Sequence, residues 1–63
     1  MKIYITQSEL DMLGVDSRVK WSRNGVVTKG IVYDTCFEND EVELLTPHGK
    51  LWVSLNDILA VYS

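Results

Sequence analysis

Sixty-three residues with a net charge of -3 and 46% hydrophobic content describe one globular domain near the lower size limit for independent folding. The composition excludes a disordered chain, and no apolar run approaches the roughly eighteen residues of a membrane span. One cysteine and one histidine allow no internal disulfide and cannot complete a tetrahedral metal site.

No cofactor or metal is therefore expected. The opening MKIYIT has neither a long apolar region nor a small-residue cleavage site, so it does not read as a signal peptide. A cytoplasmic protein without membrane contact is the expectation.

Lys2 to Ile5 alternates, with Ile3 and Ile5 on one side, and predicts a short strand. Thr6-Gln7-Ser8-Glu9 is a T-x-x-E capping box, in which each end residue's side chain bonds the other's free backbone N–H. Ile5 before the cap and Leu10 inside the helix have the spacing of a hydrophobic staple. Gly14 is expected to stop a helix at 7–13 in the left-handed conformation, with Val15 folding back on Leu10.

Beyond residue 17 the period changes to two. Arg18 to Arg23 places Val19 and Trp21 on one face and Arg18, Lys20 and Ser22 on the other. Asn24-Gly25 accepts the positive φ angles of a type I′ turn. That turn sets Ser22 opposite Val27, Lys20 opposite Lys29 and Val19 opposite Gly30. Gly30 then permits a bend or bulge, and the strand runs to about Asp34 with Val32 inward and Ile31 and Tyr33 outward.

Thr35 to Asp40 reads as a loop. Glu41–Thr46 and Leu51–Leu55 form a second hairpin around Pro47-His48-Gly49. Its turn is either a type I turn followed by a left-handed Gly49 or a two-residue His48-Gly49 loop. In either register Val42 and Leu44 face Val53 together with Leu51 or Leu55. Asn56-Asp57 forms a helical turn, and Leu59 to Tyr62 a last strand.

The expected core is Ile3, Ile5, Leu10, Leu13, Val19, Trp21, Val32, Val42, Leu44, Val53, Leu55, Ile58 and Val61. The whole chain, 1–63, reads as one domain: a strand and helix at 1–14, then a small β-barrel at 15–63. The fold class is mainly β, with one short N-terminal helix and a small barrel of five or six strands. Pairing of the first strand with the last would remove its free edges.

Val15-Asp16-Ser17-Arg18-Val19-Lys20-Trp21, then Lys29-Gly30-Ile31-Val32, then Val53-Ser54-Leu55 with Ile58 and Val61, together resemble the small barrels of Tudor and KOW type. The resemblance covers residues 15–62 and implies a binding module. Tudor-type members often hold methylated lysine or arginine in an aromatic cage, but the aromatics here do not cluster in two loops as a cage requires. KOW-type members touch nucleic acid or RNA polymerase through the first hairpin. The layout is also similar to plasmid-type dihydrofolate reductase, but Leu51-Trp52-Val53-Ser54 lacks the glutamine and tyrosine of that enzyme's corresponding strand.

Charge is segregated along the chain. Arg18, Lys20, Arg23 and Lys29 stand without an acid among them, and Asp34, Glu38, Asp40, Glu41 and Glu43 without a base. The basic set is a candidate anion or nucleic-acid site, or else a solvated face. The acidic set is a solvated connection or a surface for a basic partner. Ile31, Tyr33, Leu45 and Trp52 point outward by alternation, and aromatics so placed are enriched at interface centres. The alternative is that the helix covers Trp52.

Cys36 and His48 lack the neighbours that catalysis needs, and no enzyme is expected. The leading expectation is a regulator or adaptor that binds another protein through Ile31, Tyr33, Leu45 and Trp52. The alternative is a nucleic-acid module using Arg18, Lys20, Arg23 and Lys29. Self-association, and more remotely an oligomeric enzyme, complete the set.

Overall fold

A computed structural model describes residues 5–62. The elements in order are α1 (Gln7–Met12), β1 (Arg18–Arg23), β2 (Val26–Cys36), a 3-10 turn (Phe37–Asn39), β3 (Glu41–Thr46), β4 (Gly49–Ser54), a second 3-10 turn (Leu55–Asp57) and β5 (Ile58–Val61). The strands form one antiparallel five-stranded sheet in the order β4-β3-β2-β1-β5.

The helix begins as its capping box dictates. The Glu9 N–H donates to Thr6 Oγ1 (3.1 Å) and the Thr6 N–H to Glu9 Oε1 (3.0 Å). Glu9 also reaches across the molecule, because its Oε2 accepts the Val61 N–H of β5 at 3.1 Å. One carboxylate thus starts the helix and fastens it to the strand at the sheet edge. Ile5 is buried, and Leu10 packs against the same core, as a staple requires.

The helix ends differently from the sequence expectation. Leu13 is extended rather than helical, and among the non-glycine residues of this junction it is Asp16 that takes positive φ, at 74°. Gly14 is not left-handed. The Ser17 hydroxyl replaces that stop by donating to the Met12 carbonyl (2.9 Å) and accepting from the Gly14 N–H (3.1 Å). Val15 is exposed and does not fold back. Asp16 and Ser17 instead pair with Val32, through Asp16 N–H to Val32 O and Val32 N–H to Ser17 O, both 2.8 Å.

The first hairpin has the expected register, with Lys20 opposite Lys29 and Val19 opposite Gly30. Asn24 (φ 53°) and Gly25 (φ 81°) form its turn, where both central residues need positive φ. The bend falls elsewhere than expected. The β2–β3 register shifts between Val32 and Asp34, so Tyr33, not Gly30, is the bulged residue. Gly30 matters for another reason: a Cβ there would stand 3.2 Å from the Leu45 carbonyl oxygen and 3.4 Å from Leu44 Cβ.

In the second hairpin Thr46 pairs with Gly49, Leu44 with Leu51 and Val42 with Val53. Gly49 has φ 109° while His48 keeps negative φ, which selects the turn with a left-handed glycine after it and excludes a His48-Gly49 primed turn. Strand β2 runs two residues beyond the expected Asp34, to Cys36. The second 3-10 turn is held by Leu55 N–H donating to Asp40 O at 2.8 Å.

The core comprises Ile5, Leu13, Val19, Trp21, Val32, Val42, Leu44, Val53, Leu55, Ile58 and Val61, with Leu10 and Leu51 packed at its margin. Strands β1 to β4 supply residues to it from one face, and β5 supplies Ile58 and Val61 across a register shift against β1, so one sheet face is buried and the other faces water. Among the described residues β4 and β5 are the sheet's two edges and no ladder joins them, so the expected barrel is not closed by pairing. The expected strand at Lys2–Ile5 and core residue Ile3 lie outside the described residues, apart from Ile5, which sits in a bend.

Candidate functional site

The solvated face of the sheet can be built row by row from the register. Arg18 on β1 pairs with Ile31 on β2, Ile31 with Leu45 on β3, and Leu45 with Lys50 on β4. One row toward the Asn24-Gly25 turn, Lys20 pairs with Lys29. In the opposite direction, past the Tyr33 bulge, Asp34 pairs with Glu43 and Glu43 with Trp52. The four outward apolar residues named from the sequence therefore share this face. Ile31 is 42% exposed, Tyr33 47%, Leu45 40% and Trp52 42%.

The helix does not cover them. It packs against β5, and a smaller hollow separates its Leu10 and Asp11 from Phe37 and Leu55. The idea of a second core beneath the helix around Trp52 is thereby answered by geometry.

Three of the four basic residues named from the sequence also belong to this face. Arg18, Lys20 and Lys29 border an open groove of about 830 Å³, whose apolar lining includes Ile31, Leu45, Pro47 and Tyr62. Arg23 does not join them; its guanidinium lies 5.6 Å from the centre of the Trp21 ring, on the side of the buried face. Lys50 takes its place as the fourth cation. Four of the chain's six lysines and arginines, Arg18, Lys20, Lys29 and Lys50, thus lie on one sheet face.

Two aromatic rings here already have cations near them. Lys50 Nζ sits 3.9 Å from the centre of the Tyr33 ring, and Lys20 Nζ 5.9 Å from that of Tyr62. Both distances fall within the reach of cation–π attraction. The acids Asp34, Glu41 and Glu43 line the far end of the β2–β3 ladder. Charge segregated along the chain is thus segregated in space.

Lys50 and Tyr62 are the residues sequence reasoning passed over. Alternation would have shown Lys50 opposite Leu45 once the hairpin register was chosen. Tyr62 carries no comparable signal: its N–H donates to the Arg18 carbonyl at 2.7 Å, a contact that depends on the long-range pairing of β5 with β1.

Cys36 is a half-buried free thiol, and His48 is exposed in the turn, its N–H donating to Thr46 Oγ1 at 3.1 Å. No group of three or more histidine, cysteine, aspartate or glutamate side chains is placed to hold a metal ion, and no helix is long and apolar enough to cross a membrane, among the described residues. One carboxylate is electrostatically distinctive. The Thr6 N–H, and then the Val61 N–H, hold the Glu9 carboxyl below its ordinary value, because both bonds favour the ionised form.

No protein-family model matches the chain, and neither curated proteins nor solved structures show significant similarity to it.

Proposed function

We propose that this chain is a non-enzymatic binding module that holds another protein against the solvated face of its sheet. The observation that carries the reading is the juxtaposition of Ile31, Tyr33, Leu45 and Trp52, all substantially exposed and on neighbouring strands. Two of the four are aromatic, and aromatic anchors dominate binding energy at interface centres. The likeness to Tudor- and KOW-type barrels belongs to the same proposal. What supports that likeness is a β2 with a register shift at Tyr33, two hairpins and a 3-10 turn before the last strand.

The test is Trp52→Ala. Affinity capture from a lysate of the native host should lose its partner with this variant, while the folded state persists, because Trp52 contributes little to the core. Capture that is unchanged by Trp52→Ala would remove the anchor from the proposal.

A second reading has its own observation. Arg18, Lys20 and Lys29 meet at one groove, as a phosphate-binding surface requires. Nucleic-acid binding should then appear at low salt, fall steeply as salt rises, and vanish with Lys20→Glu combined with Lys29→Glu. A net charge of -3 opposes a polyanion at long range, which ranks this reading second.

A further inference from the structure

The groove beside the apolar patch says what kind of protein segment the face accepts. We infer that it binds an acidic, extended segment of a partner protein, with apolar side chains seated on Ile31 and Leu45 and carboxylates between Arg18, Lys20 and Lys29. The inference rests on the reading of this face as a protein-binding surface and specifies its partner's chemistry.

Charge complementarity carries the argument. Lys20 and Lys29 are directly opposed across β1 and β2, a pairing that disfavours the hairpin. Arg18 adds a third cation one row away, beside Ile31. An incoming carboxylate between these cations relieves their repulsion on binding, so the free energy appears in the complex and not in the isolated protein. Apart from Thr46, the groove's remaining side chains are aliphatic and aromatic, among them Ile31, Leu45, Pro47 and Tyr62. An extended segment with acidic and apolar residues two positions apart meets both sets, because only every second side chain of a strand points to the same side.

The same details argue against a nucleic acid as the occupant. Base recognition on a sheet relies on open aromatic faces for stacking. The Tyr33 ring is already covered on one side by Lys50 at 3.9 Å, Trp21 is buried, and aliphatic Ile31 and Leu45 stack poorly on bases. Asp34 and Glu43, next to Trp52 in the register, would repel a phosphate backbone continuing along the face.

The experiment is an NMR titration of the isotopically labelled full chain with four probes: a Glu-Leu peptide of repeat Glu-Glu-Leu-Leu, which shows both residue types on each side when extended, a Glu-Ser and a Lys-Leu peptide built in the same doublets, and oligothymidylate. The Glu-Leu peptide should shift the amides of Lys20, Lys29, Ile31 and Leu45, and bind at least about tenfold more tightly than the other three. Lys20→Glu with Lys29→Glu, and separately Ile31→Ser with Leu45→Ser, should each weaken it about tenfold or more. All four positions are exposed or half-buried, and the spectrum of each variant reports directly whether it is folded.

Failure of the Glu-Leu peptide to bind, equal binding of the Lys-Leu peptide, indifference to the charge reversals, or preferential binding of oligothymidylate each overturns the inference. Should any of these occur while capture of a natural partner remains sensitive to Trp52→Ala, the acidic segment is wrong and the protein-binding reading stands. If capture is indifferent to Trp52→Ala, it is that reading that fails.

Discussion

Leu44 and Leu45 are chain neighbours on β3 and belong to two different molecules in physical terms. Leu44 is fully buried and packs with Val32, Val42 and Val53, while Leu45 is 40% exposed, between Ile31 and Lys50. The buried face is apolar in every strand and its neighbours satisfy one another. The solvated face holds a like-charge pair, two cations set on tyrosine rings and four large apolar residues in water. The contrast sets a stabilising side of the sheet against the side proposed for recognition.

The sharpest way to break this division is to truncate the two leucines in turn. Leu44→Ala removes a fully buried side chain and should cost about 2–5 kcal/mol, from lost transfer energy and the cavity left behind. A domain of this size has only a few kcal/mol to lose, so urea or thermal denaturation should find the variant largely unfolded at room temperature. Leu45→Ala, on the other face, should change stability by no more than about 0.5 kcal/mol while reducing peptide binding in the groove. Equal costs at the two positions would show that the solvated face is a second core.

The buried face was legible because each of its signals is local. Alternation from Val19 to Trp21 and from Val42 to Leu44, the Asn24-Gly25 turn and the Thr6–Glu9 box each need fewer than about seven residues to read. All twelve expected core residues within the described part of the chain are buried or packed at the core's margin. What escaped depends on contacts distant in sequence or on a choice between local bonds of similar strength. Ser17 displaced Gly14 as the helix stop because a hydroxyl five residues on can reach the Met12 carbonyl. The bulge moved to Tyr33 because β3 decides where β2 must slip, and Gly30 is occupied in letting Leu44 and Leu45 approach.

The candidate site divides in the same way. Ile31, Tyr33, Leu45 and Trp52 followed from alternation alone, and so did the Lys20–Lys29 pairing. The groove did not, because it requires Tyr62 at the end of β5 and Pro47 in the distant turn to meet β1 and β2. Arg23 was grouped with the other cations by its place in the chain. At the strand end it falls on the parity of Trp21, beside that ring.

Glu9 offers an intermediate test, one that concerns how the helix is fastened beside the buried face. Its pKa is lowered in the folded state from an ordinary value of 4.5, so the unfolded chain takes up this proton at higher pH than the folded one. Stability from this group is therefore fully present above about pH 4.5 and is lost as pH falls through the lower folded value. Urea midpoints measured from pH 6 down to pH 3 should fall for the wild type, and the drop should be smaller for Glu9→Gln. Parallel curves would mean that the bonds to Thr6 and Val61 do not form in solution.

The smallest expected effect is the most specific to the solvated face. Lys29→Glu converts the opposed like charges into an opposite pair with Lys20 and should stabilise the hairpin by a few tenths to about 1 kcal/mol. The substitution also takes the net charge from -3 to -5, by removing one positive charge and adding one negative. Lys29→Gln removes the repulsion without creating the pair, so it should fall between the two in a thermal melt. Raising the salt concentration should compress all three toward one value, since exposed charges are screened over about 10 Å at 0.1 M. The more stable Lys29→Glu protein should at the same time bind the Glu-Leu peptide less tightly. Stability and binding moving in opposite directions on one substitution is what a recognition surface predicts, because the repulsion it relieves in the free protein is the attraction the partner uses. A loss of both together would instead make Lys29 an ordinary structural residue of the hairpin.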